Sequence, residues 1–320
     1  MLEGILRAKD KLGKIVDSDG STPCFTLLLR SDDQIKHFYG DYNAILESNR
    51  DFLLKLESGG DELGWHPHFW RQVSPNGIWF QEYRDIGWQA DMLKHAYNSY
   101  QMVLPGRAKT VRMGWCYHNN TTMGTLDKLG VETDISAFPG LRIDPRGQVN
   151  EGANYYDWSI SPYRPFKPSI NDYRRPAEDS EKSYSILEAP NFVARSLLWG
   201  IFNGLVLFKK MRDPRQLIYA IMRKSFISTI TGKPVLFRPI LRQISRDVKL
   251  HGRVIYITPL HPDELIENIH PVYSLENMER NISAIMELGN SIGAEIKYIR
   301  GRQIKEIFDD CNLDSLESQP

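Results

Sequence analysis

Hydrophobic positions alternate along most of the chain between short continuous runs and helically spaced stripes. Residues 24–30 (CFTLLLR) form a nearly continuous apolar run after Pro23, which is typical of a strand buried on both faces. Residues 43–57 carry leucine and isoleucine at helical spacing and end at Gly59 and Gly60. The same succession recurs downstream, so the pattern predicts β–α units and a largely parallel sheet.

The other predicted elements follow in the same order. The predicted strands are 62–69, 110–115, 131–137, 185–189, 254–258 and 295–299. The predicted helices are 2–16, 81–100, 120–129 and 275–291. An alternation of this kind over 320 residues suits one large α/β barrel, so a single domain spanning 1–320 is expected.

Two segments interrupt the alternation. Residues 138–185 hold many of the prolines and little periodicity, and a connection of that length is usually functional or disordered. Residues 195–253 carry 13 Lys and Arg against two Asp, and they include the apolar run SLLWGIFNGLVLF. Because that run is too short to span a bilayer, a helical insertion with a buried helix is predicted at about 195–250. The alternative is peripheral contact of 195–253 with an anionic membrane.

Composition and charge exclude several classes of protein. The chain has 40 Lys and Arg against 40 Asp and Glu, which argues against nucleic-acid binding through bulk positive charge. A mean hydropathy of -0.41 excludes a polytopic membrane protein. Three scattered cysteines offer no disulfide framework, and the first residues lack a secretory signal, so a cytoplasmic location is expected. The oligomeric state and any residues upstream of Met1 stay open.

The strongest local chemical signal is ELGWHPHFW at residues 62–70. If His66 and His68 lie on one strand, their side chains point to the same face, because strand side chains alternate with period two. Two imidazoles on one face are a plausible half of a zinc site. The alternative is a pair of packed or loop histidines flanked by Trp65 and Trp70.

Five stretches in a fixed order resemble the polysaccharide deacetylase family. They are ELGWH at 62–66, VRMGW at 111–115, TLDKLGVETDIS at 125–136, ILEAP at 186–190 and PLHPDEL at 259–265. The resemblance covers roughly residues 1–300, and the family comprises NodB-like carbohydrate esterases with a (β/α)7 barrel. It implies metal-dependent removal of acetyl groups from N-acetylated sugars of a polysaccharide or glycan precursor, with a divalent metal, most simply Zn, as cofactor.

The resemblance also implies roles for single residues. His66 matches the first metal-binding histidine, Arg112 the arginine that orients the catalytic aspartate, and His261 the late histidine that acts as general acid. Trp115 is a candidate wall for a sugar ring. The plainer alternatives are a surface salt bridge for Arg112 and a turn histidine for His261.

The chain departs from the family pattern in two places. The second metal-binding histidine normally follows the first by four residues, where this chain has Trp70, so His68 is the substitute. The family's first barrel strand carries aspartates, whereas this chain opens in what resembles the following helix, so the barrel is either complete or lacks its first strand. Asp32 and Asp33, after the strand 24–30, are the candidate metal ligand and catalytic base in displaced positions. Serine followed by two aspartates is equally typical of a helix or turn cap.

Two alternative functions stay open. The missing aspartate strand favours a catalytically silent barrel that binds a glycan or a protein partner. The spacing of His66 and His68 also resembles metal-dependent amidohydrolases, although these need further histidines and an aspartate on later strands. The expected partner is a carbohydrate substrate and not nucleic acid.

Overall fold

The computed structural model describes residues 2–72, 77–143, 155–195, 201, 205, 214, 218, 225–227, 229–266 and 269–317. They belong to two compact units. The first combines 1–23 with 191–298, and the second combines 24–190 with 299–320 and is called the sheet unit below. The single domain expected over 1–320 stays a prediction. None of the helices in these ranges combines the length and the apolarity needed to cross a bilayer.

The strands are short, and most have only two to four residues. In chain order they are β1 (Thr26–Leu29), β2 (Glu62–Trp65), β3 (Trp70–Gln72), β4 (Trp79–Gln81), β5 (Thr110–Val111), β6 (Thr133–Asp134), β7 (Arg142–Ile143), β8 (Tyr156–Asp157), β9 (Leu187–Glu188), β10 (Ala194–Arg195) and β11 (Ser225–Phe226).

The helices alternate with these strands along the chain. They are α1 (Leu2–Leu12), α2 (Asp33–Tyr39), α3 (Ala44–Ser48), α4 (Arg50–Ser58), α5 (Ile86–Val103), α6 (Asn120–Lys128), α7 (Pro234–His251), α8 (Leu275–Ile292) and α9 (Gly301–Glu317). Two 3₁₀ turns lie at Gly114–Cys116 and Pro262–Leu265.

The sheet unit is built on five parallel strands in the order β1-β2-β5-β6-β9. Each crossover between neighbouring strands contains a helix or a long loop, as parallel pairing requires. The predicted mixed α/β fold with a parallel sheet is therefore confirmed. Closure of this sheet into a seven-stranded barrel stays a prediction.

Helix α5 covers the sheet with an apolar stripe. Its residues Met92, Leu93, Ala96 and Tyr100 are buried, and Tyr100 donates its hydroxyl to the carbonyl of Gly64 at 3.2 Å. Gly64 is required on β2, because a Cβ there would lie 2.8 Å from the carbonyl oxygen of Thr110. This close approach lets β2 and β5 pair in the centre of the sheet.

The buried carboxylate of Glu62 organises the amino ends of the central strands. Its Oε1 accepts a hydrogen bond from the Thr110 hydroxyl at 2.6 Å, and its Oε2 accepts one from the Arg302 amide at 3.1 Å. A carboxylate at the start of α9 is favoured by the helix dipole. Glu62 therefore has a structural role at the edge opposite the strand ends where active sites of such folds gather.

Several predicted elements are shorter than the sequence pattern indicated. The strand expected over 62–69 ends at Trp65, and the one expected over 110–115 ends at Val111 before a 3₁₀ turn. The helix expected over 43–57 is divided at Asn49 into α3 and α4. His66 and His68 thus lie beyond the strand, so the period-two argument, which requires both residues on one strand, does not apply to them.

The unit formed by 1–23 and 191–298 contains α1, α7, α8 and the antiparallel pair β10 and β11. The strands expected at 254–258 and 295–299 are absent from its described residues. At 295–299, two side chains take the place of a neighbouring strand. Asp17 accepts a hydrogen bond from the amide of Tyr298, and Ser18 accepts one from the amide of Ile296. The apolar run SLLWGIFNGLVLF falls almost entirely outside the described residues.

The long loop expected at 138–185 is a packed structure where it is described. Trp158 and Phe166 are buried, and the indole of Trp158 donates to the carbonyl of Cys116 at 2.8 Å. Phe166 also pairs with Glu188 through two backbone hydrogen bonds. The described part of this loop therefore packs on the carboxyl ends of the sheet.

Candidate functional site

Polar side chains collect at the carboxyl ends of all five parallel strands. These ends meet at one edge of the sheet, which is where folds of this type place their chemistry. The residues at this edge are Asp32 after β1, His66 and His68 after β2, Arg112 after β5, Asp134 at the end of β6 and Glu188 at the end of β9.

His66 and His68 face each other through their ring nitrogens. Their Nε2 atoms are 3.0 Å apart, and Nδ1 of His66 lies 2.6 Å from the carbonyl oxygen of Arg112. A carbonyl can only accept, so His66 donates from Nδ1 and its Nε2 lone pair is directed at His68. A backbone carbonyl on the second ring nitrogen is also the usual support of a metal-binding histidine.

Aromatic rings and one glycine determine the position of His68. Its ring stacks on Trp70 with centroids 6.4 Å apart and an interplanar angle of 11°. A Cβ on Gly114 would lie 2.2 Å from Cγ of His68, so only glycine fits beside this ring. The loop that follows β2 and the turn that follows β5 are therefore interlocked at His68.

Trp115 forms an exposed wall next to this pair. Its side chain is 46% exposed, and its indole packs edge to face on Trp70 with centroids 6.4 Å apart. Trp115 and Cys116 both have positive φ, at 54° and 60°. Two successive non-glycine residues in this region store backbone strain, and such strain is typical of functional turns.

Asp32 has the contacts of a helix cap, and it forms an ion pair with the half-buried Arg30. Its Oδ1 accepts the amides of Gln34 and Ile35 at the start of α2, and Arg30 donates to both oxygens at 2.8 and 2.9 Å. Its Oδ2 accepts the amide of His68 at 3.2 Å. Burial raises the pKa of this carboxyl above its ordinary value, although Arg30 and the amides oppose that rise.

Asp33, the first residue of α2, is in a more open setting. It is half-buried, and its Oδ1 accepts the hydroxyl of Tyr42 at 2.6 Å. Burial, and then this carboxylate, raise the pKa of Tyr42. The contacts of Asp32 are therefore those of a helix cap. Asp32 and Asp33 lie in different environments.

The guanidinium of Arg112 contacts no carboxylate within the described residues. It lies 3.7 Å from Sγ of Cys116 and 5.3 Å from the centre of the Phe138 ring. Burial raises the pKa of the Cys116 thiol, which keeps that group protonated. Arg112 positions His66 through its backbone carbonyl, and its predicted role in orienting an aspartate stays a prediction.

His261 belongs to the other unit, where it directly precedes the 3₁₀ turn Pro262–Leu265. It is exposed, and its side chain makes no capping bond to that turn. Nearby, His270 and Asp263 lie 2.9 Å apart, and this hydrogen bond lowers the pKa of Asp263. The role of His261 as general acid stays a prediction.

The sequence interpretation missed a buried cluster at the ends of β6 and β9. Nε2 of His118 lies 2.7 Å from Oδ2 of Asp134, and both residues are buried. Asp134 also accepts bonds from the amide and hydroxyl of Ser136, and it hydrogen bonds with Glu188. Oε1 of Glu188 accepts the amide of Ala137 at 2.9 Å.

The two carboxyl groups of this cluster hold opposite protonation states. Burial alone would raise the pKa of Asp134, but the charge of His118 and the hydrogen bonds of His118, Glu188 and Ser136 outweigh it and lower this pKa. Burial and the neighbouring Asp134 raise the pKa of Glu188 well above its usual range. The two adjacent acids thus hold one proton between them, with Asp134 ionised and Glu188 protonated.

His118 connects this cluster to an open pocket of about 480 Å³ in the sheet unit. The pocket is lined by Tyr83, Tyr117, Tyr155, Tyr173, Asp157 and Arg174, among others. Arg174 is paired with Asp157 at 2.7 Å and with Asp172 at 2.9 Å, so its charge is neutralised within the wall. A pocket of this size with aromatic and neutralised polar walls suits a small uncharged polar ligand.

Part of this cluster was visible in the sequence. Asp134 and Glu188 are the last residues of buried strands, the position at which barrel folds keep functional carboxylates. Both lie inside stretches that carried the family resemblance, TLDKLGVETDIS and ILEAP. His118 had no such signal, because it lies in the connection between the 3₁₀ turn and α6.

The two histidines offer a metal two ligands once His68 moves its ring proton from Nε2 to Nδ1, because in the present pair that Nε2 donates to His66. Nitrogens 3.0 Å apart can converge on one ion, because two Zn–N bonds of about 2.0 to 2.1 Å at a tetrahedral angle separate their nitrogens by roughly 3.3 Å. Within the described residues, no group of three His, Cys, Asp or Glu side chains is arranged to hold a metal. Any further ligand would be water, substrate or a residue that must first exchange its partners.

Comparisons with known proteins give a structural relationship only. No protein-family model and no curated protein matches the sequence. Among solved structures, the chain is similar to a provisionally named glycoside hydrolase/deacetylase from Parabacteroides distasonis, with a TM-score of 0.54 and 12% sequence identity over 97% of this chain. The chain spans 64% of the length of that protein. The relationship shows a common α/β fold.

Proposed function

We propose that the protein is a metal-dependent hydrolase that removes acetyl groups from N-acetylated sugars of a polysaccharide or glycan precursor, on a (β/α)7-type barrel. The observation that carries this proposal is the arrangement of His66. Its Nδ1 is bonded to the Arg112 carbonyl, and its Nε2 is directed at Nε2 of His68. Such a supported pair of imidazoles is suited to a borderline-soft divalent ion such as Zn²⁺.

In this proposal His66 and His68 hold the ion, which when bound would polarise the acetamide carbonyl and a water molecule. Asp33 accepts the proton of that water through Oδ2, since Tyr42 uses Oδ1. Asp32 is the less suited metal ligand, because Arg30 and three amides already occupy its oxygens. The general-acid role of His261 rests on the sequence resemblance alone.

The proposed carbohydrate substrate is supported by two features of the sheet unit. Trp115 offers an exposed indole face beside the histidine pair, and the pocket next to His118 has walls of tyrosine. Sugar rings combine weakly apolar faces with hydroxyl groups, so aromatic walls with few polar groups suit them. A cytoplasmic location, expected from the scattered cysteines, belongs to the same proposal.

Acetate release tests this function. The purified chain is incubated with N-acetylglucosamine oligomers after loading with Zn²⁺ or after chelation. We expect release only with the metal, and loss of release in His66→Gln. The matched control His37→Gln changes an exposed histidine of α2 and should keep full activity. No release by the metal-loaded chain from any N-acetylated sugar would refute the proposal.

A second candidate function is glycan binding without catalysis. It is favoured by the contacts of Asp32, whose two oxygens accept from a guanidinium and three backbone amides, as expected of a structural cap. Calorimetric titration with the same oligomers separates the two functions. Binding without acetate release would support the binding protein.

A further inference from the structure

Helix α7 carries a stripe of basic side chains on its exposed face. The stripe consists of Arg238, Arg242, Arg246 and Lys249, and all four are exposed. Residues three and four apart are neighbours on a helix surface, so the four cations follow one line along most of α7. The opposite face is buried through Phe237, Ile240 and Ile244. The helix therefore presents its charge outward.

The charge of this basic stripe is not neutralised by the residues that the structure describes. None of its four side chains forms an ion pair there, whereas Arg107 and Arg174 pair with carboxylates. The single acid of α7, Asp247, accepts a hydrogen bond from Gln243 at 2.7 Å. In a chain of zero net charge, four cations on one face that have no ion pair among the described residues create a local positive potential.

We propose that the basic stripe binds the surface of an anionic lipid bilayer. Charge complementarity supplies the attraction, as for polybasic segments at the cytoplasmic leaflet. Two apolar side chains near the helix ends, Val235 at 59% and Leu250 at 61% exposure, add shallow contact with the headgroup region. A helix of 18 residues in this orientation lies along the surface. This proposal is independent of the hydrolase function.

Vesicle co-sedimentation of the full chain tests this inference. Vesicles of phosphatidylcholine alone are compared with vesicles that also contain phosphatidylserine. We expect binding only to the latter, with loss at high salt, because counterions screen surface charge. In the triple variant Arg238→Gln/Arg242→Gln/Arg246→Gln, the partition coefficient for phosphatidylserine vesicles should fall about 100-fold. Each basic residue near an anionic surface contributes a factor of roughly five to that coefficient.

A matched variant separates local charge from net charge. Lys55→Gln/Lys128→Gln/Lys182→Gln removes three exposed cations of the sheet unit and should leave vesicle binding unchanged. Equal loss in both triple variants would overturn the proposal, as would absence of binding to phosphatidylserine vesicles at low salt. Binding of single-stranded DNA that competes fully with the vesicles would identify a general polyanion site and would likewise overturn it. Acetate release should be unaffected in both variants.

Discussion

Asp134 and Glu188 are register partners on the neighbouring parallel strands β6 and β9, and their carboxyl groups hydrogen bond to each other in the protein interior. Two adjacent buried carboxylates cannot both ionise without severe repulsion. The pair therefore retains one proton, and Nε2 of His118 lies 2.7 Å from Oδ2 of Asp134. His118 also lines the open pocket, so this polar cluster lies next to the pocket wall.

Glu188→Gln should change the pH dependence of stability. An unfolded glutamate has a pKa of about 4.3, whereas Glu188 stays protonated in the folded protein to higher pH. Above that unfolded value the folded state binds one more proton than the unfolded state. The free energy of unfolding should then fall by about 1.4 kcal/mol per pH unit until the pH passes the raised folded pKa. Glutamine mimics the protonated acid and should abolish this fall.

Urea unfolding between pH 5 and 9 measures this effect by comparison of wild type and Glu188→Gln. The stability difference should shift in favour of the variant as the pH rises. Asp134 has a lowered folded pKa, so its contribution is present above its unfolded value of about 3.9 and is lost only at lower pH. Glu178→Gln, at an exposed glutamate, should follow the wild-type profile. Parallel wild-type and Glu188→Gln profiles would contradict the shared proton.

His66→Ala should abolish metal binding and leave the fold intact. Loss of one of two histidine ligands should weaken affinity by at least about 100-fold, more than the loss of an outer-sphere partner. The folded sheet does not depend on this site, in contrast to a zinc finger. Elemental analysis and thermal unfolding check both parts, with His37→Ala as the control. Equal metal content in wild type and His66→Ala would refute the assignment.

Gly114→Ala should displace His68. The new Cβ would lie 2.2 Å from Cγ of His68, whose ring is also held by stacking on Trp70. Overpacking of this kind typically costs about 1 to 3 kcal/mol. Gly87→Ala is the control, since its nearest neighbour is Oδ1 of Asp85 at 3.6 Å. Chemical denaturation and metal content would be measured, and wild-type values in Gly114→Ala would contradict this packing.

Substitutions of the two aspartates after β1 should have different effects. One should lower stability, and the other should lower activity. Asp32→Ala removes the cap of α2, which costs about 1 kcal/mol, and leaves Arg30 without its carboxylate. Asp33→Asn should change stability by less than about 0.5 kcal/mol, because Asp33 is half-buried and has one side-chain bond. If Asp33 is the base, Asp33→Asn should nevertheless lose about 10²- to 10⁴-fold in acetate release. Retained activity in Asp33→Asn would remove Asp33 from the mechanism.

Local patterns determined which secondary structures form in much of the chain. The apolar run 24–30 contains β1, and the stripe at 275–291 corresponds to α8, which ends at Gly293 in the left-handed conformation. These features depend on neighbours in the sequence, such as apolar periodicity and capping residues, so they are readable without tertiary contacts. The predicted strand 295–299 failed because Asp17 and Ser18, remote in sequence, satisfy its backbone groups.

The sequence by itself determined that two histidines, two aspartates and an arginine follow buried apolar runs, and that a parallel sheet brings such positions to one edge. Only the tertiary structure decided which of them interact: His66 meets His68 and the Arg112 carbonyl, whereas Asp32 caps α2. The pairing of Asp134 with Glu188 depends on strand register, and His118 reaches Asp134 from a loop. Such contacts join residues far apart in the chain, so their geometry is set by packing and not by any local pattern.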